Sequence, residues 1–552
     1  MAEILTSKYK TDNLRLFYNS LQAGEYYVFV SSVDTEITNR TTAVNADRYA
    51  MNFLEKTLFG KKILSSDVKF MIKYYPWQNG QVFVQYDDIA DLEGQKFYAV
   101  VGPNLNDTGD YRIYKCLYNN NGQAVSTPPN YSPTQEDQTY TTADGYVWKF
   151  MYELTQSDFE AYNALGYIPV GSSYGSFDID PLANTSIEYA GSSIDQILVN
   201  NPEGNYGYPY VQGIVTDFPD ISGRIQVKSD DLNEITNYYS GMTIYVTDTN
   251  GVSHLRVIQS YSYDSSNGVG NFIVTIDSEN PRLDSFAKLG TAKIFPTIEI
   301  LGDGSGAQAI PTVVDGKITK IVIIERGDDY NNVSVSVVDP LYNFNPESEN
   351  SIEVRAELRA ILSPLGGHGN NLLDEFKCRH LLLYGYITEA DSNSIGQSGT
   401  YSYIGLVKNP EWSNTVLYAT EGPTVFDNRL AITTDEIFSI GAVGDEVIQV
   451  NNDNEVIFKG LIHEIDYAAN TVYLNSYMGA YVNAANSDIS FSESYDLTNT
   501  LGGLVSINTP VADNITKSPY VQRSGEVIFM EDFIPLTRNS TSREEYKLVL
   551  EF

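Results

Sequence analysis

Histidine, cysteine and tryptophan are scarce in this sequence: 552 residues hold 4 His, 2 Cys and 3 Trp. Cys116 and Cys378 cannot make a disulfide framework or the usual four-ligand thiolate metal site, and both are expected as buried, reduced thiols. His254, His368, His380 and His463 form no HExxH or other pair at metal-ligand spacing, and no nucleophile elbow occurs, so neither a metal nor a cofactor is expected. Positive charge is short as well: 35 Lys and Arg stand against 71 Asp and Glu, a formal charge of -36 spread along the whole chain. Such a field repels phosphate backbones and argues against nucleic acid as a partner. No apolar run approaches the roughly 20 residues of a membrane-spanning helix. The opening MAEILTSKYK also lacks the apolar stretch of a secretory signal. A chain made in the cytoplasm, without membrane contact, is the expectation.

What is abundant is tyrosine, 42 of it, together with Asn, Ser, Thr and Gly. This is the composition of a β-rich protein with large half-polar contact surfaces and few long helices. The length calls for about three or four domains, each with its own core. The fold class expected is α+β, predominantly β, in several domains.

The first 60 residues carry the best helical signals. TDNLRLFYNSLQAG has Asp12 as the expected N-cap, Leu14, Phe17, Tyr18 and Leu21 at helical spacing, and Gly24 as the stop. A second helix is expected from near Asn45 to Phe59, ending at Gly60, with the strand EYYVFVSS between the two. From Gln81 the period changes to two. QVFVQY, KFYAVV, YRIYKCLY and YVWKFMYEL read as four strands, and the Pro-rich connection between the last two should cross the surface, toward a neighbour. Near Tyr189 the texture changes again. Ile194, Ile197, Val199 and Tyr206 recur at an offset of 124 residues as Ile318, Ile321, Ile323 and Tyr330, which suggests a divergent internal repeat. GMTIYVTDTNGVSHLRVIQSY and GNFIVTIDSEN between the copies are hairpin material, with Asn-Gly as a tight-turn signal. Helical signal returns in NNLLDEFKCRH, the alternating stretch from Leu430 to Tyr495 suits a small barrel, and the chain ends in two more strands.

Several stretches invite a chemical reading. The Gly-rich LGDGSGAQA, residues 301 to 309, lacks the Lys-Ser/Thr of a phosphate loop and reads as a turn. Asp87, Asp88, Asp91 and Glu93 match no calcium loop and read as a solvated turn. His368, within SPLGGHGNN, is the most distinctive histidine because the surrounding glycines let the backbone bend sharply, yet a structural turn outweighs catalysis there. In DGYVWKFMYEL, residues 144 to 154, Tyr146, Trp148, Phe150 and Tyr152 share one strand face. Four rings in a row could floor a sugar groove, but core or interface is the more common use, since each large ring stabilises by roughly 2 to 3 kcal/mol when buried.

Several blocks fall in the order of a known family: LTSKYKTDNLRLFYNSL, LSSDVKFMIKYYPW, YRIYKCL, STPP, DGYVWKFMYEL, IGLVKNP and SGEVIFMEDFIP. The chain resembles the baseplate wedge proteins of T-even-like contractile-tailed bacteriophages, the product of gene eight, over about the first 170 residues, parts of 350 to 410 and the last 40 or so. The positions that carry the resemblance are Trp77, Tyr114, Cys116, Asp144, Gly145, Tyr146, Trp148, Gly525 and Met530, all structural. The resemblance implies a non-enzymatic virion subunit with no catalytic, metal or cofactor residues. It further implies a homodimer within each of six wedges, with other wedge subunits and fibre-attachment proteins as partners. The family's T-even member is much shorter. The expected organisation is therefore a discontinuous frame, 1–184 plus 346–429 plus 496–552, holding two insertions: an all-β domain at 185–345 and a small barrel-like domain at 430–495. Ordered assembly followed by rearrangement favours broad Tyr- and Trp-rich contacts. The alternative expectation is a tail-associated carbohydrate-binding or carbohydrate-cleaving host-recognition protein, with two carboxylates roughly 5 to 10 Å apart beside exposed rings.

Overall fold

The computed structural model describes residues 6–32, 47–105, 109–130, 139–170, 192–217, 223–247, 251–275, 290–338, 354–388, 399–412, 422–434, 440–475, 497–499, 504–505, 515–516, 518–538 and 543–552. Strands dominate and helices are few, as the tyrosine-rich composition requires. The chain divides into two compact units. One comprises Met1–Ile72, Tyr162–Val170 and Cys378–Phe552; the other comprises Lys73–Ala161 and Gly171–Lys377. Segment 430–495 falls with the chain ends in the first unit, and segment 185–345 falls with 73–161 in the second.

The first unit opens with the helix Ser7–Ala23. Its N-cap is Thr6, whose hydroxyl accepts from the Tyr9 amide at 3.3 Å, and not Asp12. Thr6 already satisfies an otherwise unpaired amide one turn upstream, so Asp12 sits inside the helix and pairs with Arg15 at 3.0 Å. Gly24 ends the helix as expected, its amide donating to Ser20 O at 2.9 Å. The second helix, Asp47–Glu55, is shorter than its apolar spacing suggests, because Thr57–Lys62 is a strand. That strand pairs antiparallel with Tyr26–Ser32, Phe59 opposite Val30 and Gly60 opposite Phe29. Gly60 is thus a spacer beneath rings and not a helix stop: a Cβ there would lie 2.4 Å from the Phe426 ring.

Three sheets occur among the described residues of this unit. Val425–Asp427, Thr57–Lys62, Tyr26–Ser32, Gly399–Lys408 and Glu526–Arg538 form a five-stranded sheet in that order. Glu544–Glu551, His380–Ile387, Val68–Lys73 and Tyr167–Pro169 form a four-stranded one, which ties down the C-terminal strand. The region expected to be a small barrel is instead a seven-stranded sheet whose outer strands come from 497–499, 504–505 and 515–516, beyond the expected boundary at 495. Ile432, Val447, Phe458, Ile462, Val472 and Leu474 are its core.

The second unit begins with the sheet Tyr98–Val101, Tyr111–Tyr118, Val147–Leu154, Thr139–Thr141. QVFVQY is not one of its strands. Val84 N donates to Lys96 O at 2.9 Å, Tyr86 N to Cys116 O at 2.7 Å, and Gln81 O accepts from Val125 N at 2.8 Å, so three different segments take its hydrogen bonds and no ladder forms. The closed barrel lies elsewhere, in six strands between Val211 and Phe295. Its inward residues, among them Val215, Ile225, Ile244, Val246, Phe272 and Ile294, alternate with outward polar ones. Of its Asn-Gly turn, Asn250 lies outside the described residues. A further cluster gathers both copies of the suggested repeat. Ile194 and Ile197 are buried with Ile318 and Ile321, and Val199 and Ile323 pack against them. The correspondence ends at the tyrosines: Tyr330 is 3% exposed and Tyr206 49%. LGDGSGAQA is a turn bridged by Ser305 to Asp328, where Gly304 lies so close that a Cβ would meet Asp328 O at 2.4 Å.

Candidate functional site

The aromatic strand Val147–Leu154 and the turn before it carry the densest group of resemblance residues. Tyr146 and Trp148 are fully buried, Tyr152 is 1% exposed and Phe150 5%. Tyr146, Trp148 and Phe150 pack with Phe83, Ala99, Val101, Tyr114, Cys116 and Val125, with Trp77 against the cluster. Tyr146 stacks on Trp148 at 5.4 Å between centroids, and Tyr152 meets Phe376 edge-on at 5.9 Å. The pairing with Tyr111–Tyr118 shifts register at Met151, and Lys149 and Met151 are buried too. The rings therefore serve this chain's own core and offer no sugar platform.

Ahead of the strand, Asp144 organises the turn. Its carboxylate accepts from Ser126 N at 2.7 Å, Thr127 N at 2.9 Å and the Thr142 hydroxyl at 2.5 Å. These donors hold the Asp144 carboxyl below the ordinary carboxylate range, against the opposing effect of its burial. Gly145 has φ +81°, the left-handed region, and a Cβ there would lie 2.9 Å from Asn120 Nδ2. The Tyr146 hydroxyl donates to Gln123 O. STPP and DGYVW, separated in the sequence by the long connection, are thus bonded directly to one another. Residues 131–138 of that connection, with its expected crossing toward a neighbour, lie outside the described residues.

In the other unit, IGLVKNP and SGEVIFMEDFIP are neighbouring strands. Gly405 pairs with Met530, Leu406 with Phe529 and Lys408 with Glu526. Met530 is 7% exposed. Gly525 has φ +88° and fits against Val407, where a Cβ would come within 2.6 Å.

The most concentrated ionisable chemistry surrounds His368. Gly366, Gly367 and Gly369 all have positive φ, and the bent loop they permit buries the imidazole at 5% side-chain exposure. Nε2 lies 2.6 Å from Asp195 Oδ2, and Nδ1 lies 3.2 Å from Lys115 Nζ and 3.4 Å from Glu375 Oε2. Lys115 Nζ donates to Glu375 Oε2 at 3.0 Å and sits 3.7 Å above the Tyr86 ring centroid. Asp195 also accepts from Arg326 at 2.8 Å, and Gly369 N donates to Glu375 Oε1 at 2.7 Å. Burial pushes the Glu375 carboxyl up, but Lys115 and His368 outweigh it and hold it down at about 2. Both ring nitrogens are engaged by buried partners, so His368 ties its loop to Asp195, Lys115 and Glu375.

The acidic stretch before it is less solvated than its sequence suggests. Asp87, half-buried, pairs with Arg359, and Asp88 lies 3.4 Å from the same guanidinium; Asp88 and Asp91 are exposed and Glu93 half-buried. A second buried network joins Arg429 to Asp427 at 2.8 Å and Glu464 at 2.6 Å, with the guanidinium 4.4 Å over the Tyr473 ring. Both cysteines are buried, and burial pushes the Cys116 thiol up. No helix among the described residues is long and apolar enough to cross a membrane.

Sequence reasoning singled out His368 but not its partners. Asp195 lies in the strand Ile194–Val199, Arg326 just after the strand Lys317–Glu325 and Glu375 in the short helix Leu372–Glu375, and no local spacing links them to Lys115. No protein-family model matches the chain, and no curated protein matches it significantly.

Proposed function

We propose that this chain is a structural subunit of a contractile bacteriophage tail baseplate wedge. It works by binding its neighbours and not by catalysis. The observation that carries the reading is the pairing of the resemblance blocks: STPP on DGYVW, and IGLVKNP on SGEVIFMEDFIP. Sequence blocks that touch each other in space are those a shared packing arrangement would preserve together. The closure of His368 and the inward rings favour this over a glycan-cleaving enzyme, which needs an open, acid-flanked cleft.

With the rings of 146–152 committed to the interior, contacts to other subunits fall to other residues. On the helix Ser7–Ala23, Tyr9 is 51% and Leu16 65% exposed, one heptad apart and so on one face. Ile528 and Leu536 are 41% and 51% exposed on the long strand Glu526–Arg538. Such half-polar faces suit association with a second copy, with other wedge subunits and with fibre-attachment proteins in the virion. The charge of -36 keeps free subunits apart in the host cytoplasm and steers them toward more basic partners, an attraction that added salt weakens.

The test is sedimentation of the purified full chain together with electron microscopy of tails made without it. A dimer and missing or incomplete baseplates are expected. A chain that stays monomeric at high concentration, with normal baseplates in its absence, overturns the reading.

A further inference from the structure

The outer wall of the six-stranded barrel carries a groove of ≈ 520 Å³. Three neighbouring strands form its floor, with Arg224 opposite Ile273 and Ile273 opposite Ser260, then Gln226 opposite Asn271 and Asn271 opposite Ser262. The register shifts between Ile258 and Ser260, a bulge that bends the wall beside the groove. Its rim is Thr236 and Asn237. Asn237 is locked there with φ +61°, its amide donating to Tyr261 O at 2.9 Å and its side-chain oxygen accepting from Tyr261 N at 3.0 Å. The Tyr261 hydroxyl in turn donates to Asn233 O, so the rim is fixed before any ligand arrives.

Among the described residues the lining is rich in donors and contains no carboxylate, in a chain with 71 acids against 35 bases. Asn271 Oδ1 is occupied by Arg224 at 3.0 Å and Gln226 at 2.8 Å, which leaves its NH2 without a partner among the described residues. The Asn237 NH2 is likewise unpartnered among them, and Arg224 has no carboxylate there either. Hydroxyls of Ser260, Ser262 and Thr236 add groups that donate or accept, and Ile273 adds one apolar patch.

From this arrangement we propose that the groove binds a saccharide bearing a single carboxylate. The Arg224 guanidinium, one terminal nitrogen of which already donates to Asn271 Oδ1, offers its remaining N–H donors to the carboxylate, the amides and hydroxyls take ring oxygens and hydroxyls, and Ile273 covers a C–H face. One cation does not suffice for a phosphate chain, and the overall charge of -36 discriminates against polyanions. The inference is independent of the wedge reading, because nothing in it depends on assembly.

Methyl glucuronide and methyl glucoside are a matched pair of probes that differ in the carboxylate. Saturation-transfer NMR on the full chain should show transfer to the glucuronide and far less to the glucoside. Arg224→Gln should weaken glucuronide binding by about tenfold or more, the loss of a charge-assisted pair. Ser262→Trp, an exposed position, should abolish it by filling the groove. Both variants should melt like the parent and sediment like it. Equal transfer to both sugars, no transfer to the glucuronide, or binding that survives both substitutions overturns the proposal.

Discussion

Replacing Glu375 by Leu isolates a buried cation, and the outcome can be worked from the geometry. Lys115 is fully buried and Glu375 is 3% exposed, and they meet at 3.0 Å. Without the carboxylate, Lys115 keeps only His368 Nδ1 and the Tyr86 ring, and Gly369 N loses its acceptor. Removing one partner of such a pair costs about 3–5 kcal/mol. Lys115→Met strands Glu375 and should cost a comparable amount. The double variant Lys115→Met/Glu375→Leu leaves two apolar groups facing each other and should be less destabilised than either single one, which makes the coupling larger than about 3 kcal/mol. Urea unfolding followed by tryptophan fluorescence reads this well: Trp77 and Trp148 lie in this unit, and Trp412→Phe silences the third. With a slope on the order of 3 kcal/mol/M, each single variant should lose about 1–1.5 M in midpoint. Additive losses, or single variants that unfold like the parent, would refute the account of the cluster as a fastening. Because the Glu375 carboxyl is held at about 2, below its ordinary 4.5, its contribution is complete above pH 4.5 and is lost as pH falls through that interval.

His463 should give a second pH signature. Burial, with the Arg429 charge beside it, pushes its imidazole down from 6.5 to about 4. The fold thus favours the neutral ring; stability is full above pH 6.5 and falls between 6.5 and 4 by at most about 3 kcal/mol, a slope that His463→Gln should remove in thermal melts. Gly60→Ala should destabilise the first unit by about 2 kcal/mol or more in the same melts, because the Phe29 and Phe426 rings must move to admit the methyl. Cys116 and Cys378 should resist alkylation in the folded protein and react only as it unfolds, which mass spectrometry of the labelled chain detects. Leu16→Asp should leave the monomer's melting unchanged yet impair association in sedimentation, since its side chain is solvent-facing in this chain alone.

Local pattern was enough for the β-rich class, for the strands Tyr26–Ser32, Tyr111–Tyr118 and Val147–Leu154, and for the stop at Gly24, because alternation and turn chemistry act over a few residues. It misled where a distant partner decides. Leu58 and Phe59 continue a helical spacing, but a strand at 26–32 is available to pair with them. QVFVQY alternates like a strand yet finds no continuous edge. Barrel closure depends on the first strand meeting the last, and a reading in local windows assigned the barrel to 430–495, whose alternation is equally clean. The His368 cluster was legible only through its glycines; its charges converge from positions as far apart as 115 and 375, and no spacing rule spans that separation.

The barrel's first and last strands, Val211–Asp217 and Thr291–Phe295, are hydrogen-bonded neighbours, with Val211 opposite Ile294. The polypeptide therefore leaves this module about one strand spacing, some 5 Å, from where it entered. A single recombination event could gain, lose or exchange the whole module while the register of the flanking segments stays untouched. Such a cassette is a place where the chain can vary without disturbing what flanks it.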